Sequence, residues 1–178
     1  MGLAGFFTRN SKGRHMDPYA PPPSTKILIA ATPRVRERLS RVLTGHELIT
    51  AQTAADVVPL LTKDRYGMVI LSVHFDESQM FAILGDIRGH SKYRKVPIVC
   101  VLAERGRLSE VAVEGLDHAV KAMTANGFLD LLRFPDDERG NARIRRIVDY
   151  LILIDGDLQA VSDVHDLGQV TDRRSTAR

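Results

Sequence analysis

The sequence has 178 residues, of which 44% are hydrophobic and 26% charged, with a formal net charge of +3. That length holds one domain with tails, and the hydrophobic share is enough to fill its core. No apolar run reaches the roughly 18 residues needed to cross a bilayer. Segment 2–7 is too short for a signal-peptide core and has no basic residues before it, and Phe6 breaks the myristoylation pattern. A single cysteine, Cys100, excludes an internal disulfide framework and reads as a small buried hydrophobe. Such a chain is expected in the cytoplasm, with no cofactor and no metal.

Residues 1–24 read as a disordered leader, because Asp17-Pro18-Tyr19-Ala20-Pro21-Pro22-Pro23 has polyproline composition. Lys26-Ile27-Leu28-Ile29-Ala30-Ala31 is a short apolar run, as in a strand buried on both faces. Pro33 suits the first turn of the helix that follows, with Val35, Leu39, Val42 and Leu43 on its inner face. A second strand is expected over 47–51 and a helix from about Thr53, with a kink or a late start at Pro59. Residues 67–73 form a third strand, and the next helix runs through Phe81, Leu84 and Ile87. Residues 97–102 form the fourth strand. The helix after it turns Val111, Leu116, Val120 and Met123 inward and stops at Asn126-Gly127.

A fifth strand is expected over 128–134. Pro135, Asp136, Asp137 and Glu138 then open a last helix whose inner face is Ile144, Ile147, Val148 and Leu151. Residues 155–178 read as a flexible tail with a weak amphipathic stretch through Leu158, Val161, Val164 and Leu167, ended by Gly168. Five βα units over 25–154 predict an α/β fold, a flavodoxin-like doubly wound parallel sheet of order 2-1-3-4-5. Its site lies outside the carboxyl ends of the strands, between the first and third. Ala30, Ala31, Thr32 and Ser72 fall there.

The spacing Ala30-Ala31-Thr32-Pro33-x-x-Arg36-x-x-Leu39 resembles the opening of a response-regulator receiver domain, where two acidic residues come first. Tyr66 to Ser72, Val96 to Ala103 and Gly127 to Pro135 are similar to the family's third, fourth and fifth strands. The resemblance implies a phosphorylation site whose acidic pair falls on Ala30 and Ala31 and whose acceptor aspartate falls on Ser72. The switch threonine falls on Leu102 and the phosphate-pairing lysine on Phe134. Phosphoryl transfer needs a metal and a cation to neutralise developing charge. A receiver so altered is expected to work without phosphorylation and not as an enzyme.

Ser72, His74 and Asp76 alternate as a hydrolytic triad might, but neighbours on one strand seldom share a proton path. His74, Asp76 and Glu77 lack further ligands for a metal. Arg34, Arg38 and Arg41 line the first helix, and Arg139, Arg143 and Arg146 the last, each as an outward stripe suited to partner binding. The last helix ends in Tyr150-Leu151-Ile152-Leu153-Ile154, apolar all round, which suits a contact with another chain, a homodimer included. The favoured function is a receiver-like module that docks on signalling or localisation proteins. The alternative is a small-molecule or redox sensor using the emptied apolar crevice. Nucleic acid is disfavoured, since no aromatic platform or helix-turn-helix accompanies the arginines.

Overall fold

A computed structural model describes residues 24–106 and 108–154. The leader and the tail expected at the two ends lie outside the described residues, apart from Ser24. Strands β1 (Lys26–Ala30), β2 (Glu47–Thr50), β3 (Met68–Ser72), β4 (Ile98–Leu102) and β5 (Gly127–Asp130) form one parallel sheet of order β2-β1-β3-β4-β5. Between them run α1 (Pro33–Val42), α2 (Ala54–Lys63), α3 (Met80–Gly89) and α4 (Glu110–Ala122), and a last helix, α5, occupies 138–154. Ile27, Ile29, Val69, Leu71, Val99 and Val101 are at most 1% exposed, as the continuous apolar runs require.

Successive strand residues point to opposite faces, so each run feeds two cores. Ile27, Ile29, Ile70, Val99 and Val101 pack with Val35, Leu39 and Val42 of α1 and Ile144 and Val148 of α5. Leu28, Ala30, Val69, Leu71, Cys100 and Leu102 pack with Val57 and Leu61 of α2, Leu84 and Ile87 of α3, and Val113 and Val120 of α4.

Four local expectations need correction. The second helix does not start late: Thr53 and Asp56 form a capping box, and the helix runs from Ala54 through Pro59, which lies on its exposed side. In α4 the inward residue is Val113, while Val111 is 77% exposed. That helix ends at Ala122, with Thr124 at φ +64° just beyond it, so Asn126-Gly127 is not the stop. Asn126 joins the sheet edge instead, its main-chain N–H donating to Ile98 O at 2.7 Å and its Oδ1 accepting from Ile98 N at 2.8 Å.

The fourth correction concerns the fifth strand, which ends at Asp130 and not at Phe134. The Asp130 carboxylate accepts from Leu132 N and turns the chain into a 3-10 turn, Leu131–Arg133. The last helix accordingly begins later than Pro135. Asp137 caps it, its side chain accepting from Gly140 N at 2.7 Å. Gly140 is obligatory there, because a Cβ would sit 2.0 Å from Pro135 O.

Candidate functional site

The carboxyl ends of β1, β3 and β4 meet where the strand order reverses. Ala30, Ala31, Ser72 and Leu102 stand there, each at most 2% exposed. The loop after β3 turns Val73 and Phe75 into the same buried cluster as Ala30 and Leu102. The apolar crevice expected between β1 and β3 is therefore filled by the protein's own side chains. Of two surface hollows, the one of about 260 Å³ opens beside this end, between α1, Ala103 and Leu131, and the one of about 330 Å³ lies at α2; none of these four residues lines either.

Register puts Asp130, not Phe134, beside Leu102 at the end of β5. Phe134 lies four residues further on, half-buried, with the Arg143 guanidinium 5.4 Å from its ring centroid. Asp130 is buried and receives Arg105 Nη2 at 3.0 Å and Arg133 Nε at 3.3 Å. Arg105 also pairs with Glu110, and both partners hold its guanidinium above the ordinary arginine value. A carboxylate held by two arginines thus occupies the edge where the resemblance implied a cation.

The loops around this end are tied to one another directly. His74 Nε2 lies 2.8 Å from Glu104 O, and since a carbonyl only accepts, Nε2 carries the proton. Glu104's carboxylate is 3.8 Å from Arg34 on α1. Asp76 accepts the Ala54 N–H, at the start of α2, at 2.7 Å. Asp76, Glu77 and Ser78 all have positive φ, 44°, 56° and 66°. Three consecutive non-glycine residues in the left-handed region store strain of about 1–2 kcal/mol each. The bond to Ala54 and the burial of Phe75 hold them there.

These bonds also decide the triad. His74 and Asp76 are turned to different backbone partners, and Ser72 is sealed in the core, so the three do not converge. Among the described residues no group of three His, Cys, Asp or Glu side chains is placed to hold a metal ion. Cys100 is buried, and desolvation pushes its thiol up to about 12.

The two arginine stripes have different surroundings. On α1, Arg38 is not the solvated residue expected of an outward stripe. Its side chain is 14% exposed, against 77% for Arg34. Its guanidinium donates to Leu131 O (3.1 Å), Phe134 O (2.8 Å), Pro135 O (2.8 Å) and Asn141 Oδ1 (3.2 Å). Arg41 pairs with Asp136 at 3.0 Å. On α5, Arg139, Arg143 and Arg146 are exposed, and no carboxylate among the described residues pairs with them. Tyr150, 64% exposed, and Leu153 and Ile154 continue that helix to 154.

No family model matches the chain. The response regulator protein FleR of Pseudomonas aeruginosa is 30% identical over 115 residues, covering 61% of this chain. The chain spans only 24% of that relative's length. Among solved structures, the chemotaxis response regulator CheY4 of Vibrio cholerae matches 70% of this chain and 98% of its own, with a TM-score of 0.55 and 21% identity. NtrX from Brucella abortus matches 80% of this chain and 30% of its own, with a TM-score of 0.63 and 17% identity. No helix among the described residues is long and apolar enough to cross a membrane. Strand order, the spacing of the strand motifs and the solved structures agree on the flavodoxin-like fold of receiver domains, and in sequence the chain is similar to a response regulator.

Proposed function

We propose that this receiver domain signals without phosphorylation, as a cytoplasmic docking module for protein partners and not as an enzyme. The observation that carries the reading is the composition of the strand ends. Ala30, Ala31 and Ser72 bring no carboxylate to the positions where the resemblance places metal ligands and acceptor, and all three are closed to solvent. The direct ties from His74 to Glu104 and from Asp76 to Ala54 hold the surrounding loops in one arrangement without a phosphoryl group. What remains for recognition is the surface.

Of the six arginines in the two stripes, Arg139, Arg143 and Arg146 are the strongest contact residues, because two of α1's three, Arg38 and Arg41, are already engaged within the domain. A partner for them is a signalling or localisation protein with an acidic surface. Once a partner has been captured from the native cell, the double variant Arg143→Glu/Arg146→Glu should slow its association about tenfold while leaving the fold intact. Ser72→Ala should leave affinity unchanged. If the reversals have no effect and Ser72→Ala abolishes binding, docking through α5 is wrong, and recognition centred on the strand ends takes its place.

A further inference from the structure

The outward face of α5 is bare and has two halves. Arg139, Arg143, Arg146, Tyr150 and Leu153 follow one another at intervals of four, three, four and three, so all five lie on one side of the helix. The first three are unpaired with any carboxylate among the described residues, and the last two are exposed and apolar in bulk. Whatever covers this face must be apolar near residue 154 and acidic further back.

We propose that residues 155–167 of the same chain fold back and cover it. They follow α5 directly and contain Asp155, Asp157, Asp163 and Asp166 but no lysine or arginine. Leu158, Val161, Val164 and Leu167 recur at every third position, an apolar series with acidic neighbours. Gly156 supplies the backbone freedom that reversal requires. A chain returning along α5 brings Leu158 and Val161 beside Tyr150, Leu153 and Ile154, and then Asp163 and Asp166 beside Arg146 and Arg143. The distance suits: at about 1.5 Å per residue even a helical return of thirteen residues spans ~20 Å, close to the rise from Arg139 to Leu153.

Charge separates this occupant from the others. Segment 1–23 carries Arg9, Lys12 and Arg14 against one acid, Asp17, so it is repelled by the arginine half. A second copy of α5 would set arginines against arginines if parallel, and arginines against apolar side chains if antiparallel. The cover proposed here goes beyond the docking reading, and its test needs no partner. An acidic partner that uses the same face has to displace it.

The test uses the full chain carrying Ser162→Cys and a nitroxide on that thiol, with buried Cys100 left unlabelled. In dilute isotope-labelled protein, amide signals of residues 139–153 should broaden, and Asp163→Arg/Asp166→Arg should remove at least half of that broadening. A second sample mixes isotope-labelled chains without nitroxide and unlabelled chains with it, and should show none. The proposal is overturned by an unbroadened α5, by broadening centred on another face, by broadening that survives the charge reversal, or by broadening in the mixed sample, which would assign the contact to a second copy.

Discussion

Arg38 offers the sharpest test of how the α1 side of the domain is built. Replacing it with Met keeps an aliphatic stem of similar length but removes the guanidinium that joins α1 to the segment between β5 and α5. Two half-buried carbonyls, Leu131 O and Phe134 O, then lose a charged donor. Hydrogen bonds to charged groups are each worth about 1.5–3 kcal/mol, and partial access to water lowers the pair to roughly 2–4 kcal/mol. Against a typical domain stability of about 5–15 kcal/mol that is a large share. At about 3 °C per kcal/mol for a domain of this size, the melting temperature should fall by roughly 6–12 °C. Circular dichroism at 222 nm reads this directly, with Arg34→Ala as the control, because Arg34 is exposed and makes one long ion pair. If Arg38→Met melts no lower than Arg34→Ala, the guanidinium bridge contributes nothing and the reasoning about α1 fails.

Gly140→Ala should destabilise by several kcal/mol or prevent folding, since its Cβ would collide with Pro135 O, and urea denaturation checks this. Thr124→Gly should raise stability by about 1 kcal/mol in the same assay, because a β-branched residue at φ +64° is replaced by one that adopts it freely. The Cys100 thiol should resist alkylation by iodoacetamide at pH 8 in the native state and react once the domain is unfolded in urea. Burial holds its pKa near 12, so native-state reaction at an ordinary thiol rate would contradict the packing of β4.

The parallel sheet was legible because β1, β3 and β4 are short apolar runs between turn residues, the composition of strands buried on both faces. α1 was legible for a similar reason: Pro33 marks its start, and Val35, Leu39, Val42 and Leu43 hold a strict helical period. The end of β5 was not. Phe128 to Phe134 reads as one apolar stretch, and the Asp130 carboxylate that ends it acts through a hydrogen bond to Leu132 N, which leaves no mark in hydropathy. The assignment of Phe134 to the strand end moved with it.

Side chains that bond to main-chain groups distant in sequence were hidden in the same way. Arg38 looked like one more solvated arginine, yet its partners lie 93 to 103 residues away. His74 and Asp76 looked like loop residues or a poor triad, and their partners, Glu104 O and Ala54 N, carry no side-chain signature. Val111 was misplaced because α4 begins at Glu110, so Val111 falls on the outward side of its first turn while Val113 takes the core position. That Ala30, Ala31 and Ser72 stand at the ends of β1 and β3 was readable because both strands end where their apolar runs end.

On the proposed reading, the loops at the carboxyl ends have little left to switch. In a receiver built around a metal and a phosphoryl group, ligand contacts would bias those loops between arrangements. Here the bonds from His74 to Glu104 and from Asp76 to Ala54 already join the loops after β3 and β4 and the start of α2. The most direct test is an amide NMR spectrum of the full chain, recorded with Mg²⁺ before and after addition of acetyl phosphate, with intact mass measured on the same sample. A phosphorylation-independent domain keeps the signals of Ala30, Ala31, Ser72, Val73 and Ala103 in place and gains no mass. A stoichiometric gain of one phosphoryl group that vanishes in Ser72→Ala, with new signals at those residues, would contradict it.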